Sequence, residues 1–359
     1  MGHTITMGLN GFTGKLNLIY INQNGSLQAF SQNAQGQWFD ASTPSNPPQT
    51  SCKYIVEIGP TLYALDQNGQ LWSSMQDNKG NWPAFQPVAP QAGLTFVDIA
   101  AAEVPSLGVL ICALNSNGTV YVQLTSSRFV ATKLYGPQIA AGVSALGSAV
   151  VLGATSNIEI NFINGIYSSD GTTWNPANLG QPALTNPILA ALAPGSGGQL
   201  QAVVLAAGPQ YAGGQPNICS DTSGWGSTWT SPSPLPAGTT QLSMAAAATG
   251  SNGNLQVVGI NAADGQPYVI EQQATTGNWI PGKSLPMNSG VPPITDLCTG
   301  MGNQNYLQVG YMAGGKVYVN WQDSKNNWGW FGPLPGLLYP GVGTGPGPRP
   351  TGPEFGRAG

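Results

Sequence analysis

The stretch NGQLWSSMQDNKGNW, Asn68 to Trp82, carries two turn signals and two tryptophans in fifteen residues. Asn68-Gly69 suits a two-residue type I′ turn, whose central residues both need positive φ, and Leu71 to Gln76 then reads as a strand. Lys79-Gly80 turns the chain again, into a strand opening at Trp82. Alone this is a β-meander. A fixed period along the chain would make it one copy of a repeat, and a period outranks any local reading.

The spacing recurs from end to end. Copies close at Trp38 (turn at Asn24-Gly25), Trp82, Phe129 (Asn117-Gly118), Trp174 (Asn164-Gly165), Trp229 (Gly213-Gly214), Trp279 (Asp264-Gly265) and Trp328 (Gly314-Gly315), in steps of 44, 47, 45, 55, 50 and 49 residues. Seven residues past the turn glycine stands Gln32, Gln76, Thr125, Gln272 or Gln322, and three past it Trp72, Tyr121, Tyr268 or Tyr318. The fourth copy is shorter and the fifth carries a glycine-rich insertion. Before each turn runs an apolar segment such as Leu16–Ile21, Val109–Leu114 or Leu255–Ile260, and earlier still a second one such as Ile99–Ala102 or Leu242–Ala246.

Four strands per unit of roughly 45 residues, without helical periodicity, is the pattern of a β-propeller blade. The expectation is an all-β fold: a seven-bladed β-propeller with four antiparallel strands per blade. It forms a single domain over residues 1–336, with repeats at about 1–51, 52–94, 95–142, 143–187, 188–240, 241–290 and 291–336. A pair of β-sandwiches would also show many short strands, but sandwiches need no aromatic landmark at each interval. Residues 337–359 form a Pro/Gly-rich tail, read as a flexible extension or as a strap across the junction of last and first repeats.

Composition narrows the class. The chain is 41% apolar, enough to fill a core despite 50 glycines and 30 prolines, but only 7% charged, against about 25% in ordinary domains. A net charge of −4 with ten basic residues offers no footprint for nucleic acid or for acidic membranes. No apolar stretch approaches the roughly 20 residues needed to span a bilayer. The start, MGHTITMGLNG, has neither a basic nor an apolar leader region, so the expectation is a soluble protein made in the cytosol and released, if at all, by a non-signal route. Weak repulsion between copies leaves self-association into a homo-oligomer open.

Catalytic groups are sparse. The one histidine, His3, is expected in a mobile terminus, and the arginines are Arg128, Arg349 and Arg357. Cys52, Cys112, Cys219 and Cys298 are far apart, so neither a zinc site nor any other metal or cofactor is expected, and Cys112 and Cys298 read as buried hydrophobes. Paired carboxylates of a glycosidase would have to come from Glu57, Asp98, Glu103, Glu159, Glu271 or Asp296, none of which lies in a recognisable motif. Ser168 to Trp174, SSDGTTW, resembles an Asp-box hairpin of the sialidase kind, one residue short. In that family the box is structural, and a sialidase needs three arginines for its substrate. The expectation is no enzyme, with a glycoside hydrolase as a lesser alternative.

The aromatics suggest binding. Tryptophan is an amphipathic plate on which the apolar face of a sugar stacks while neighbouring amides take its hydroxyls. The competing role is packing between blades, and a docking propeller for a protein partner would use every aromatic that way. Segments such as Tyr63–Trp82 and Val317–Pro335 resemble blades of the bacterial seven-bladed lectins typified by the Photorhabdus lectins, and more distantly of fungal fucose lectins and tectonin-type propellers. The resemblance covers roughly residues 4–336. It implies several pockets between blades for fucose or O-methylated sugars. The fungal lectins pair an arginine with a glutamate in each site, whereas this chain has Leu18-Ile-Tyr and Gln28-Ala-Phe there. The candidate carbohydrate-binding residues are therefore Trp38, Trp72, Gln76, Trp82, Trp279, Trp321, Gln322, Trp328 and Trp330, with glycans or glycoconjugates as partners.

Overall fold

Asp66 explains the hairpin at Asn68-Gly69. Its backbone N–H donates to Gln70 O, its carbonyl accepts from Gly69 N, and its carboxylate takes the N–H groups of Asn68 and Gln70. Only Gly69 has positive φ, at 77°, so the connection is a three-residue loop closed by a left-handed glycine rather than the two-residue type I′ turn expected from the sequence. The carboxylate cap stabilises this alternative because it satisfies two N–H groups left over by the bulge. The same loop recurs at Asn22–Ser26 and Asp77–Asn81, and at Asp323–Asn327 with Asn326 in the glycine's place at φ 62°. A two-residue turn does occur at Gly314-Gly315, where both φ values are positive.

The computed structural model describes residues 3–334 apart from 11, 34–35, 49, 89–92, 125–127, 157–160, 180–183, 185–186, 208–213, 237–239, 251–252, 303–305 and 324. Among them there is no α-helix. The first repeat supplies β1 (Ile5–Leu9), β2 (Leu16–Ile21), β3 (Leu27–Gln32) and β4 (Trp38–Asp40). The second has β5 (Cys52–Ile58), β6 (Thr61–Asp66), β7 (Leu71–Met75) and β8 (Gln86–Pro87). The third has β9 (Phe96–Val104), β10 (Gly108–Asn115), β11 (Thr119–Leu124) and β12 (Val130–Tyr135). The fourth has β13 (Gln138–Val143), β14 (Ala149–Ser156), β15 (Asn161–Ser168) and β16 (Asn175–Leu179). The fifth has β17 (Pro187–Pro194), β18 (Leu200–Ala207), β19 (Gly214–Ser220), β20 (Thr228–Trp229) and β21 (Ser233–Pro234). The sixth has β22 (Leu242–Thr249), β23 (Leu255–Asn261), β24 (Pro267–Gln272) and β25 (Trp279–Ser284). The last has β26 (Ile294–Met301), β27 (Leu307–Ala313), β28 (Lys316–Gln322) and β29 (Trp328–Leu334).

In the first, second, third and last repeats these strands form one four-stranded antiparallel sheet in chain order. The fourth gains β20, which runs parallel to β16 through Asn178↔Thr228 and Leu179↔Trp229. The fifth and sixth share an eight-stranded sheet joined at Gly214↔Leu242. Six sheets thus stand where the spacing predicts seven blades. The glycine-rich fifth repeat lacks a long outer strand, covering β19 with only the two-residue β21, and the strand edge left open takes a pair from β22.

First strands carry the architecture. β1 packs on β5, β5 on β9, β9 on β13, β13 on β17, β17 on β22, β22 on β26 and β26 on β1, closing a circuit. Small residues such as Ala100–Ala102 and Ala245–Ala248 occupy these strands, where the sheets converge and side chains have least room. Hydrophobic clusters form between repeats: Ile19, Leu27 and Ala29 pack with Ile55, Leu62 and Ala64, and Ile5 and Leu18 with Val317 and Phe331. Both faces of each sheet are covered, so middle strands such as β2 and β6 are buried at every position.

Two expectations change. His3 is anchored, not mobile: its Nδ1 lies 2.9 Å from Asp296 Oδ1, and its carbonyl accepts from Ile55 N at 2.9 Å. The chain start is thereby tied to the last and second repeats at once. Asn164-Gly165 is no turn, because both residues lie within β15, opposite Gly153 and Leu152. A Cβ at Gly165 would come within 2.4 Å of the Leu152 side chain, so this glycine marks a close approach in a strand. The tail, Thr125, Glu159 and Gly213 lie outside the described residues. All four cysteines are buried and free, and burial pushes the Cys52 and Cys219 thiols up to about 12. Among the described residues no helix is long and apolar enough to cross a membrane.

Candidate functional site

The spacing of seven residues from turn glycine to glutamine has a mechanical origin. Gln76, just past β7, donates through Nε2 to Gly80 O in its own turn at 2.7 Å, and its Oε1 accepts from Asn10 and, at 3.1 Å, from Asn17 of the preceding repeat. Gln272 repeats this with Gly277 O and with Ser196 N of the fifth repeat. Gln322 accepts from Gln256 Nε2 of the sixth, and Gln32, bonded to Gly36 O, lies against Gly302 of the last. Each glutamine is buried and bridges back across the seam to the repeat before it. Of the sequence-predicted site residues, Gln76 and Gln322 are thus placed inside seams; the protein engages both ends of the Gln76 amide but only Oε1 of Gln322, whose buried Nε2 has no hydrogen-bond partner among the described residues.

The tryptophans divide into two groups. Trp38 is 5% exposed within the cluster joining first and last repeats, and Trp229 is sealed with its Nε1 on Gly226 O. Trp72, Trp82, Trp174, Trp279, Trp321, Trp328 and Trp330 are only partly buried, each edging a cluster between consecutive repeats. Trp72 donates Nε1 to Asp66 at 2.9 Å, which fixes its ring beside the loop. Trp330 stacks on Tyr318 with ring centres 5.4 Å apart. Trp82 does not open a strand: Pro83 follows it with no N–H to give, and β8 begins only at Gln86.

The residue before the closing tryptophan joins the candidate residues only in the folded chain. Asn81, Asn278 and Asn327 are exposed, and their Oδ1 atoms accept no hydrogen bond among the described residues, while Asn81 and Asn327 spend Nδ2 on Asp77 and Asp323. The repeated Asn-Trp dipeptide was the available signal. Asp77 is held below the usual carboxylate range by the backbone N–H of Asn81 and by the Asn81 and Lys79 groups. At Asp323 partial desolvation pushes upward, and the Asn327 side chain with the N–H groups of Asn327 and Lys325 outweighs it. Both carboxylates are turn caps.

No protein-family model matches the chain, and no curated protein matches it. Solved structures do. A triple-arginine mutant of AofleA from Arthrobotrys oligospora superposes with a TM-score of 0.51 at 13% identity, over 80% of this chain and 87% of that one. The fucose-specific lectin from Aleuria aurantia gives 0.50 at 11%, over 92% and 96%. A puromycin hydrolase mutant gives 0.56 at 14%, over 91% of this chain and 53% of that one.

The fold is a β-propeller. Within the propeller the carboxylates considered for catalysis serve separate partners. Glu57 lies buried in the seam between first and second repeats, accepting from Asn17 at 3.0 Å. Asp98 and Asp296 each accept the N–H of the following residue on a first strand. Glu271 takes Asn254 and Gln256, and Glu103 is exposed. Asp170 caps the Ser168–Trp174 hairpin, and the N–H groups of Thr173 and Thr172 hold it well below the usual carboxylate range. Asp221 builds a comparable turn one repeat on, accepting from Ser223 and Gly226 and presenting Trp225, 45% exposed, which the spacing argument had not singled out.

Proposed function

We propose that this chain is a non-enzymatic carbohydrate-binding protein, a lectin without metal, built as a seven-bladed propeller over residues 1–336 with a tail at 337–359. The circuit of seven first strands supports the blade count, since the shared sheet of the fifth and sixth repeats hangs on one residue pair. One observation carries the function: seven of the ten tryptophans are only partly buried, each edging a seam between consecutive repeats. A ring packed only for stability gains from full burial, whereas a stacking plate needs one accessible face.

The proposed ligand is a neutral sugar such as fucose or an O-methylated glycan. Trp72, Trp82, Trp279, Trp321, Trp328 and Trp330 stack on it, and Asn81, Asn278 and Asn327 take its hydroxyls. Gln76 and Gln322 act indirectly, by holding the seams on which the rings lie, and Trp38 closes the junction of first and last repeats. Repetition of the pocket raises avidity without new contacts, because later binding events become intramolecular.

The test is a glycan array probed with labelled full-length protein, beside Trp82→Ala and Trp328→Ala. Binding to one neutral sugar class, weakened about tenfold or more in the variants while the circular dichroism spectrum is kept, is the expected result. A blank array from folded protein sinks the reading and turns attention to a protein partner.

A further inference from the structure

Where first, second and last repeats meet, the loops after β2 and β6 and the start of β5 border an open cleft of about 540 Å³. That volume falls within the roughly 300–1,000 Å³ of small-molecule sites. Its walls are chiefly Asn22, Gln23, Asn24, Ser51, Lys53 and Gln67, with Thr4 and Gly315 at the margin, and among the described residues no carboxylate lines it. The side chains of Gln23 and Asn24 form no hydrogen bond among the described residues, so their amides are free for a ligand.

Lys53 sets the charge of the cleft. It is half-buried, its Nζ stands 5.2 Å above the Tyr54 ring, and it forms no ion pair among the described residues. The nearby carboxylates are committed elsewhere. Asp66 serves Asn68, Gln70 and Trp72, and Asp296 serves His3, Thr4 and Leu297. Lysine meets an anionic partner as a point charge. Here it stands beside uncommitted amides in a chain that carries few cations at all.

We infer that this cleft binds an acidic saccharide unit, with Gln23 and Asn24 on its hydroxyls and Lys53 on its carboxylate. The inference rests on the carbohydrate reading and adds a second, chemically different site on the same ring. It assigns Lys53 the selection of charged over neutral sugars.

Calorimetric titration of the full chain with methyl glucuronide and methyl glucoside, which differ in the carboxylate, tests it. The glucuronide is expected to bind about tenfold more tightly at low salt, with the advantage shrinking as salt is raised. Lys53→Met keeps the aliphatic stem over Tyr54 and should erase that advantage, while Gln23→Ala weakens both ligands. Equal affinities in the parent chain overturn the inference, as does an advantage that survives in both Lys53→Met and Lys53→Gln. Neutral glycans lost in Trp82→Ala without any preference for the carboxylate refute the cleft alone. A carboxylate preference beside neutral-glycan binding that Trp82→Ala and Trp328→Ala leave unchanged refutes the stacking sites alone, and no binding of any sugar refutes both.

Discussion

His3 Nδ1 lies 2.9 Å from Asp296 Oδ1, joining the start of the first repeat to the innermost strand of the last. Thr4 adds its Oγ1 to the same carboxylate, and Asp296 also caps Leu297 N. A closed ring must join its ends somewhere, and this is a polar part of that joint. Asp296→Ala removes the acceptor of all these groups and is expected to lower stability by about 1–3 kcal/mol. Urea unfolding measures the loss. Hydrogen exchange should quicken first in β1 and β26, and unchanged exchange there would show that the apolar cluster of Ile5, Leu18 and Phe331 closes the ring unaided.

Glu57 gives stability a pH dependence. Burial pushes its carboxyl up to about 8 against a usual value near 4.5, the hydrogen bond from Asn17 opposing this, and Oε2 has no hydrogen-bond partner among the described residues. The unfolded chain loses this proton first. Between about 4.5 and 8 it therefore binds fewer protons than the fold, and stability falls as pH rises, by up to about 1.4 kcal/mol per unit. Thermal melts of the parent chain should decline across that window and level off above it. In Glu57→Gln the decline should largely vanish, and a slope that persists would assign it to another group.

Gly329 lies beneath Trp321. A Cβ there would come within 2.3 Å of the indole, a distance real contacts do not reach, so Gly329→Ala must displace the ring. The expected cost is about 1–3 kcal/mol, as for other overpacking changes, with a shift in tryptophan emission. Chemical unfolding followed by fluorescence checks both, and an unchanged spectrum would show that the ring does not rest on this glycine.

Much of the fold was legible because its signals are local. The distance from Asn68-Gly69 to Trp82, repeated along the chain, follows from strands of fixed length joined by loops of fixed geometry. Alternation and turn residues therefore announced four strands per repeat. Asn164-Gly165 misled for the same reason: in a turn or in a crowded strand a glycine looks alike in sequence, and only the approach of Leu152 tells them apart. The asparagines before the closing tryptophans were present in the repeat but carried no meaning until their exposed oxygens could be seen.

The all-β class, the four-strand pattern of most repeats and the scarcity of charge follow from the chain alone, because strand length, turn residues and composition need no distant partner. Only the folded ring shows that Gln76 serves a seam, that His3 is anchored, that Lys53 forms no ion pair among the described residues, and that the fifth and sixth repeats share a sheet. Those outcomes depend on which groups from distant repeats meet and on what burial leaves unsatisfied. Asn17 and Gln76, 59 residues apart and 3.1 Å from bonding atom to bonding atom, are neighbours only once the ring is closed.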